Sequence, residues 1–305
     1  MKFIGDGITA PTGFTANAVL SGIKQGRAKD DTALIYSDCP CRAAAVFTAN
    51  RVQAEPVKLT KRHLADGKAQ AVIANAGNAN ACTGEAGFRA ARRMAEAAAA
   101  ALSLRAEDVL VCSTGVIGVP LPVEKIERQA AALAAGLSKA GHEKAREAIL
   151  TTDTVYKECA VETEIGGRTV RVGTMAKGSG MIHINMGTML GFIATDCAIS
   201  AALLDKALRE SVAGTYNCVS IDGDTSTNDT LLILANGRAG NAEITADDED
   251  FRAFLSALNA VNTEMAKKIA GDGEGAGHLL ECRVSSAAST EQARMLAKSV
   301  ISSNL

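Results

Sequence analysis

The stretch Met175-Ala176-Lys177-Gly178-Ser179-Gly180-Met181-Ile182-His183-Ile184-Asn185-Met186-Gly187-Thr188-Met189-Leu190 decides how this chain is read. A glycine-rich turn carrying a lysine leads into a Gly-Thr pair that opens an apolar strand. Lys177-Gly178-Ser179-Gly180 is not a P-loop, which needs two glycines at fixed spacing before Gly-Lys-Ser/Thr. On spacing alone, the more economical reading is a loop between two strands, with Thr188 a β-branched strand residue. The chemical reading is more specific. A threonine hydroxyl becomes a useful nucleophile when a base sits beside it, and the α-amine of a chain-terminal threonine is such a base. That amine has an unperturbed pKa of about 7.7–8.0, close to working pH. It must first be freed by cutting the bond before Thr188. Gly187 has no side chain to block approach of the hydroxyl to the preceding carbonyl, and it tolerates strained backbone there.

Outward from this stretch, short apolar runs alternate with helical stretches. Ala33–Tyr36, Ala71–Ala74, Val109–Cys112, Met189–Ala194, Cys218–Ile221, Leu231–Leu234 and Leu279–Val284 read as strands. Ala90–Ala101 is alanine-rich, with Arg92, Arg93 and Glu96 on a polar face, and reads as a helix. Pro120 and Pro122 open another helix that Gly136 stops after Ala135. Cys159–Val172 reads as a hairpin turning at Gly166-Gly167. Ser200 is the expected N-cap of a helix through Val212, with Asp205 and Lys206 on its outer face. Helices are also expected over Asp247–Ile269 and Thr290–Ser299, after which the apolar Val300-Ile301 reads as the opening of a further strand. The pattern gives an α+β or layered α/β protein.

Composition narrows the function classes. The 305 residues are 47% hydrophobic with a formal net charge of −2, enough for one large core or two lobes. There is no basic field, aromatics are 3% and tryptophan is absent, so no nucleic-acid partner is expected. The stretch Met1–Phe14 lacks the apolar segment of a signal peptide, and no run approaches the roughly 20 apolar residues that span a bilayer. A cytoplasmic protein without a membrane partner is expected. The cysteines at Cys39, Cys41, Cys82, Cys112, Cys159, Cys197, Cys218 and Cys282 form no C-x-x-C pair and there are four histidines, so they read as buried thiols with no metal site. Asp222, Asp224 and Asp229 invite a Ca²⁺ or Mg²⁺ reading, but the spacing lacks the bidentate Glu of an EF-hand. They read as an Asx-rich turn.

Several segments together resemble the ornithine acetyltransferase family, the glutamate N-acetyltransferases of arginine biosynthesis. They are Gly7-Ile8-Thr9-Ala10-Pro11-Thr12-Gly13-Phe14, Asn75-Ala76-Gly77-Asn78-Ala79-Asn80-Ala81-Cys82-Thr83-Gly84, Ser113-Thr114-Gly115-Val116-Ile117-Gly118, Lys177–Ile182 with Thr188-Met189-Leu190, Asp222-Gly223-Asp224-Thr225-Ser226-Thr227-Asn228-Asp229 and Asp272-Gly273-Glu274-Gly275-Ala276. They run in order from residue 7 to 276. The resemblance implies an N-terminal-nucleophile type fold, shared with the self-processing aminopeptidases. It implies self-cleavage between Gly187 and Thr188 into an alpha chain, residues 1–187, and a beta chain, residues 188–305. Two of each would form a heterotetramer.

The resemblance also implies roles, residue by residue. Thr188 resembles the nucleophile, and Thr114 and Gly115 the oxyanion hole, a hydroxyl and a backbone N–H aimed at the developing charge. Thr151, Lys177, Thr188 and Glu274 resemble substrate-binding residues; a cation at 177 suits the carboxylates of an acetylated glutamate. Without the resemblance, Thr114-Gly115 is a strand-to-helix turn, Thr151 a cap or turn residue, and Lys177 and Glu274 solvated loop side chains. The implied reaction moves acetyl from N-acetylornithine to glutamate through an acetyl-Thr188 intermediate, without an organic cofactor. Whether acetyl-CoA also serves as donor stays open. The rivals are an aminopeptidase or amidohydrolase using the same nucleophile with water, and an inactive fragment. Two departures stand out: Ile184 occupies a position where the family usually has proline, and the family's chain normally continues beyond the position of Leu305. The expectation is a C-terminally incomplete member.

Overall fold

The computed structural model describes residues 1–24, 26, 28–182 and 189–303. Gly187, Thr188 and Ile184 therefore lie outside the described residues. In chain order the elements are β1 (Lys2–Ile4), β2 (Phe14–Val19), β3 (Thr32–Phe47), α1 (Glu55–His63), β4 (Lys68–Asn78), α2 (Gly84–Leu102), β5 (Val109–Val116), α3 (Val123–Ala135), α4 (His142–Ala148), β6 (Lys157–Ile165), β7 (Arg168–Lys177), β8 (Leu190–Thr195), α5 (Ala201–Gly214), β9 (Thr230–Ala235), α6 (Glu249–Gly271) and α7 (Thr290–Ile301).

The near-continuous apolar runs of β4, β5, β8 and β9 are buried on both faces, as strands covered on two sides must be. They belong to one sheet with the order β1-β6-β7-β8-β9-β3-β4-β5, with β2 added on β3. Most pairs are antiparallel; β8–β9 and β4–β5 are parallel. The long strand β3 holds this order together. Its first half pairs β2 and β4, its second half pairs β9, and the register shifts between Tyr36 and Cys41. Pro40, which has no N–H for a ladder, sits in that bulge.

Side-chain alternation then sorts the sheet into layers. Val161, Val172, Ile193, Leu231 and Ile233 pack under α5 and α6. Leu34, Ala71, Ile73, Val109 and Val111 pack under α1, α2 and α3. The opposite faces meet: Ile35, Val72 and Leu110 share one core with Phe192, Leu232 and Leu234. The result is helices, sheet, sheet, helices, the layered α/β arrangement expected. In α2 the buried residues Ala91, Met94, Ala95 and Ala98 recur at three and four, while Arg92 pairs Glu96 at 2.8 Å and Arg93 pairs Glu127 at 2.5 Å. Gly166 and Gly167, both at positive φ, make the two-residue turn of the β6–β7 hairpin.

Four expectations are corrected. Cys218–Ile221 is not a strand: a 3₁₀ turn covers Tyr216–Cys218, and the following backbone reaches Ile182 through Ile221 N–H alone (2.7 Å) rather than a ladder. Leu279–Val284 is irregular, with Leu280 71% exposed and the charges of Glu281 and Arg283 paired to each other. Val300 and Ile301 do not start a strand but finish α7, whose N-cap Ser289 accepts the Gln292 amide. Of the eight thiols, four are buried, but Cys82 is exposed and the other three are half-buried. Ser200 does take the N-cap position of α5, though its hydroxyl caps no amide. Among the described residues no helix is long and apolar enough to cross a membrane.

Candidate active site

Two clusters assemble at the ends of these strands. In the first, β7 ends at Lys177 beside the start of β6. Lys157 is fully buried and its ammonium is held by Asp153 at 2.9 Å and Asp272 at 2.5 Å. The Asp153 carboxylate accepts the amides of Gly178 (2.7 Å) and Thr151 (3.1 Å), and Lys177 lies 3.8 Å from it. The Asp272 carboxylate at the end of α6 accepts the Thr154 amide and hydroxyl, while its carbonyl accepts Ser179 Oγ at 2.6 Å. This pins the turn carrying Glu274 onto the glycine-rich loop: a Cβ added to Gly180 would fall 2.5 Å from Glu274 Oε1. Thr151, Lys177 and Glu274 are thus brought together by two carboxylates and a lysine to which the sequence reading assigned no role.

Electrostatics follow from that burial. Burial lowers the Lys177 ammonium from its ordinary value, and Asp153 offsets part of the shift. Burial alone would raise the Asp153 carboxyl, but Lys177 and Lys157 beside it hold it below the ordinary carboxylate range. Asp272 is held low in the same way, by Lys157 and Thr154 against its burial. Lys177 is no solvated loop lysine. It is a buried cation whose field reaches Asp153, Asp229 and Glu274, and its Nζ makes no hydrogen bond to a described residue.

The second cluster surrounds the start of β8. Met189 N–H donates to Asp229 Oδ1 at 3.0 Å, and Met189 C=O accepts from Thr230 N–H at 3.1 Å. The neighbouring Asn228 Nδ2 donates to Ser113 C=O at 2.8 Å and Ala79 C=O at 2.7 Å. Asn228-Asp229 therefore ties the segment Ser113-Thr114-Gly115 to the residue that follows Thr188. Thr114 is buried, yet its hydroxyl makes no hydrogen bond to a described residue. Gly115 has φ +133°, and a Cβ there would lie 2.3 Å from the Gly77 carbonyl carbon. That backbone admits glycine alone. No hydrogen bond among the described residues joins Thr114 or Gly115 directly to Thr151, Lys177 or Glu274. Asp222 Oδ1 accepts the amides of Ile182 and Asp224, as an Asx turn does. Among the described residues no three His, Cys, Asp or Glu side chains are grouped to hold a metal ion.

A family model described as the ArgJ family matches residues 15–305. The chain belongs to the ArgJ family. It is 53% identical to the arginine biosynthesis bifunctional protein ArgJ of Symbiobacterium thermophilum over its whole length, which spans 76% of that relative. Two solved structures are similar. ArgJ of Bacillus halodurans matches with a TM-score of 0.56 at 39% identity, covering 62% of this chain and 97% of that one. The ornithine acetyltransferase of Mycobacterium tuberculosis, solved with ornithine, matches with a TM-score of 0.56 at 41% identity, covering 62% and 99%. Membership in the ArgJ family makes this chain an enzyme of arginine biosynthesis and agrees with the resemblance carried by residues 7 to 276.

Proposed function

We propose that this ArgJ-family enzyme cuts itself between Gly187 and Thr188 and then transfers acetyl from N-acetyl-L-ornithine to L-glutamate through Thr188, without an organic cofactor. The observation that carries the reading is the Asn228-Asp229 link, which binds the Ser113–Gly115 segment and the residue after Thr188 to one strand end. In cleavage, the Thr188 hydroxyl attacks the Gly187 carbonyl, the C–N bond breaks to free the Thr188 amine, and water hydrolyses the resulting ester to release the Gly187 carboxylate and restore the hydroxyl. In transfer, that amine takes the hydroxyl proton as Oγ attacks the acetyl carbonyl, and delivers it to the departing ornithine nitrogen. Glutamate's amine then attacks acetyl-Thr188, the Thr188 amine takes the proton that glutamate's nitrogen loses, and Oγ receives it as the acetyl–Oγ bond breaks. The Thr114 hydroxyl and Gly115 N–H stabilise the oxyanion of both tetrahedral intermediates. Lys177 takes a substrate carboxylate and Glu274 a substrate ammonium, with Thr151 alongside. Acetyl-CoA as a second donor would use the same acetyl-Thr188 intermediate.

The cut has a direct test in intact mass and N-terminal sequencing. The expected pieces are residues 1–187 and 188–305, with Thr188 at the second N-terminus; a single uncut chain would sink the reading. Transfer is tested with N-acetylornithine, with and without glutamate. Acetylglutamate should form only with glutamate present, and equal release of acetate without it would instead identify a hydrolase. The pieces are expected to stay together as two pairs, which light scattering would measure.

Thr114→Ala removes one oxyanion donor. Such a loss costs about 2.7–4 kcal/mol of transition-state stabilisation, so kcat should fall about a hundredfold or more with the melting temperature little changed. An unchanged kcat would leave Thr114 as a turn residue only.

A further inference from the structure

We infer that Asp229 is a positioning residue for Thr188, acting through the Met189 N–H that its Oδ1 accepts. The inference rests on the reading of Thr188 as nucleophile and adds a residue to it. Asp229 immediately precedes β9, which runs parallel to β8 with Leu190 opposite Thr230. One residue before that pairing begins, the Met189 carbonyl accepts the Thr230 amide, and the Asp229 carboxyl accepts the Met189 amide. Residue 189 is thus held on both sides. The Met189 N–H lies on the peptide bond that joins Met189 to Thr188, so Asp229 grips the chain directly beside the proposed nucleophile. Asp229 is itself anchored, because its C=O accepts the Thr48 amide at 2.9 Å and its neighbour Asn228 is bonded to Ser113 and Ala79. The Ser113–Gly115 segment and the residue after the proposed nucleophile are therefore held by the same two residues, Asn228 and Asp229.

The second carboxyl oxygen marks Asp229 as more than a strand clamp. Asp229 has no exposed surface, and its Oδ2 has no hydrogen-bond partner among the described residues. Buried polar atoms are almost always paired, and leaving one unpaired destabilises the fold. Burial pushes this carboxyl well above the ordinary range, against the Met189 amide, the Ser226 and Thr48 hydroxyls and Lys177, which suits a neutral acid that accepts the amide through Oδ1.

The test compares full chains carrying Asp229→Asn, Asp229→Ala and Asp229→Leu with the native one, reading self-cleavage by intact mass and transfer by kcat and KM separately. Asparagine keeps a neutral acceptor in the same shape and should cleave and turn over within about threefold of the native chain. Alanine and leucine remove the acceptor. They should cleave at least tenfold more slowly, and their cleaved fraction should show a kcat at least tenfold lower with KM nearly unchanged. Native-like cleavage and kcat in a folded alanine or leucine chain would overturn the inference, as would a tenfold loss in the asparagine chain. If neither truncated side chain folds, the asparagine result decides alone by the same thresholds. A native chain that neither cleaves nor transfers acetyl would instead remove the reading of Thr188 itself.

Discussion

Thr188→Ala should abolish self-cleavage and acetyl transfer together. One hydroxyl is assigned to both reactions: it attacks the Gly187 carbonyl once, and then an acetyl carbonyl in every turnover. The α-amine that serves as base exists only after the first reaction. The variant should therefore run as one 305-residue chain and show no acetylglutamate above background. Thr188→Ser keeps a hydroxyl at the same position and should retain part of each activity. The discriminating result is an alanine variant with native transfer rates, which would take the nucleophile away from residue 188. The uncut Thr188→Ala chain is also the background for stability measurements, because its unfolding does not involve separation of two pieces.

Lys157→Met should lower the unfolding free energy by about 3–5 kcal/mol, since it strips the cation from two buried carboxylates while preserving side-chain bulk. Asp153 would keep Lys177 at 3.8 Å and two backbone amides, whereas Asp272 would keep only Thr154. A urea titration measures the loss. Adding Asp272→Asn to Lys157→Met should recover part of it, because the orphaned charge is gone. The pH dependence has a definite sign. Both carboxyls sit below their ordinary values in the fold, so their contribution is complete above the unfolded value of about 3.9 and disappears as pH falls through the folded values. The difference between native and Lys157→Met chains should be largest near neutrality and shrink in acid. A difference independent of pH would mean the loss comes from packing.

The parts of this fold that could be read from the chain are those whose signals are local. The apolar runs Ala71–Ala74 and Val109–Cys112, the Gly166-Gly167 turn and the spacing of alanines in α2 each report on their own element. Cys218–Ile221 and Leu279–Val284 have strand-like composition as well, but a strand also needs a neighbour with a free edge, and no ladder forms there. The bulge at Pro40 and the switch of β3 from β2 to β9 depend on pairing across nearly two hundred residues. The site divides similarly. Thr114, Lys177 and Glu274 stood out through the family resemblance; taken alone they read as turn and loop residues. Asp272 opens a segment that was singled out and Asp153 lies two residues after Thr151, yet their partner Lys157 is an ordinary strand lysine until the fold places it between them. Asn228 and Asp229 looked like members of an acidic turn, and only the tertiary structure shows them reaching Ser113 and Met189.

If the chain is cut before Thr188 as proposed, the position of β8 and β9 governs how the two pieces behave. Both strands come from the 118 residues after Gly187, and they are flanked by β7 on one side and β3 on the other, with six registered residue pairs at each boundary. The piece that begins at Thr188 would thus be threaded through the middle of the other rather than docked on its surface. Dilution cannot release it, because every route out requires tearing an interior ladder. Its escape rate is the unfolding rate of the whole molecule. Activity per molecule should accordingly be independent of protein concentration, and two pieces made separately would have to fold around each other rather than meet as finished subunits.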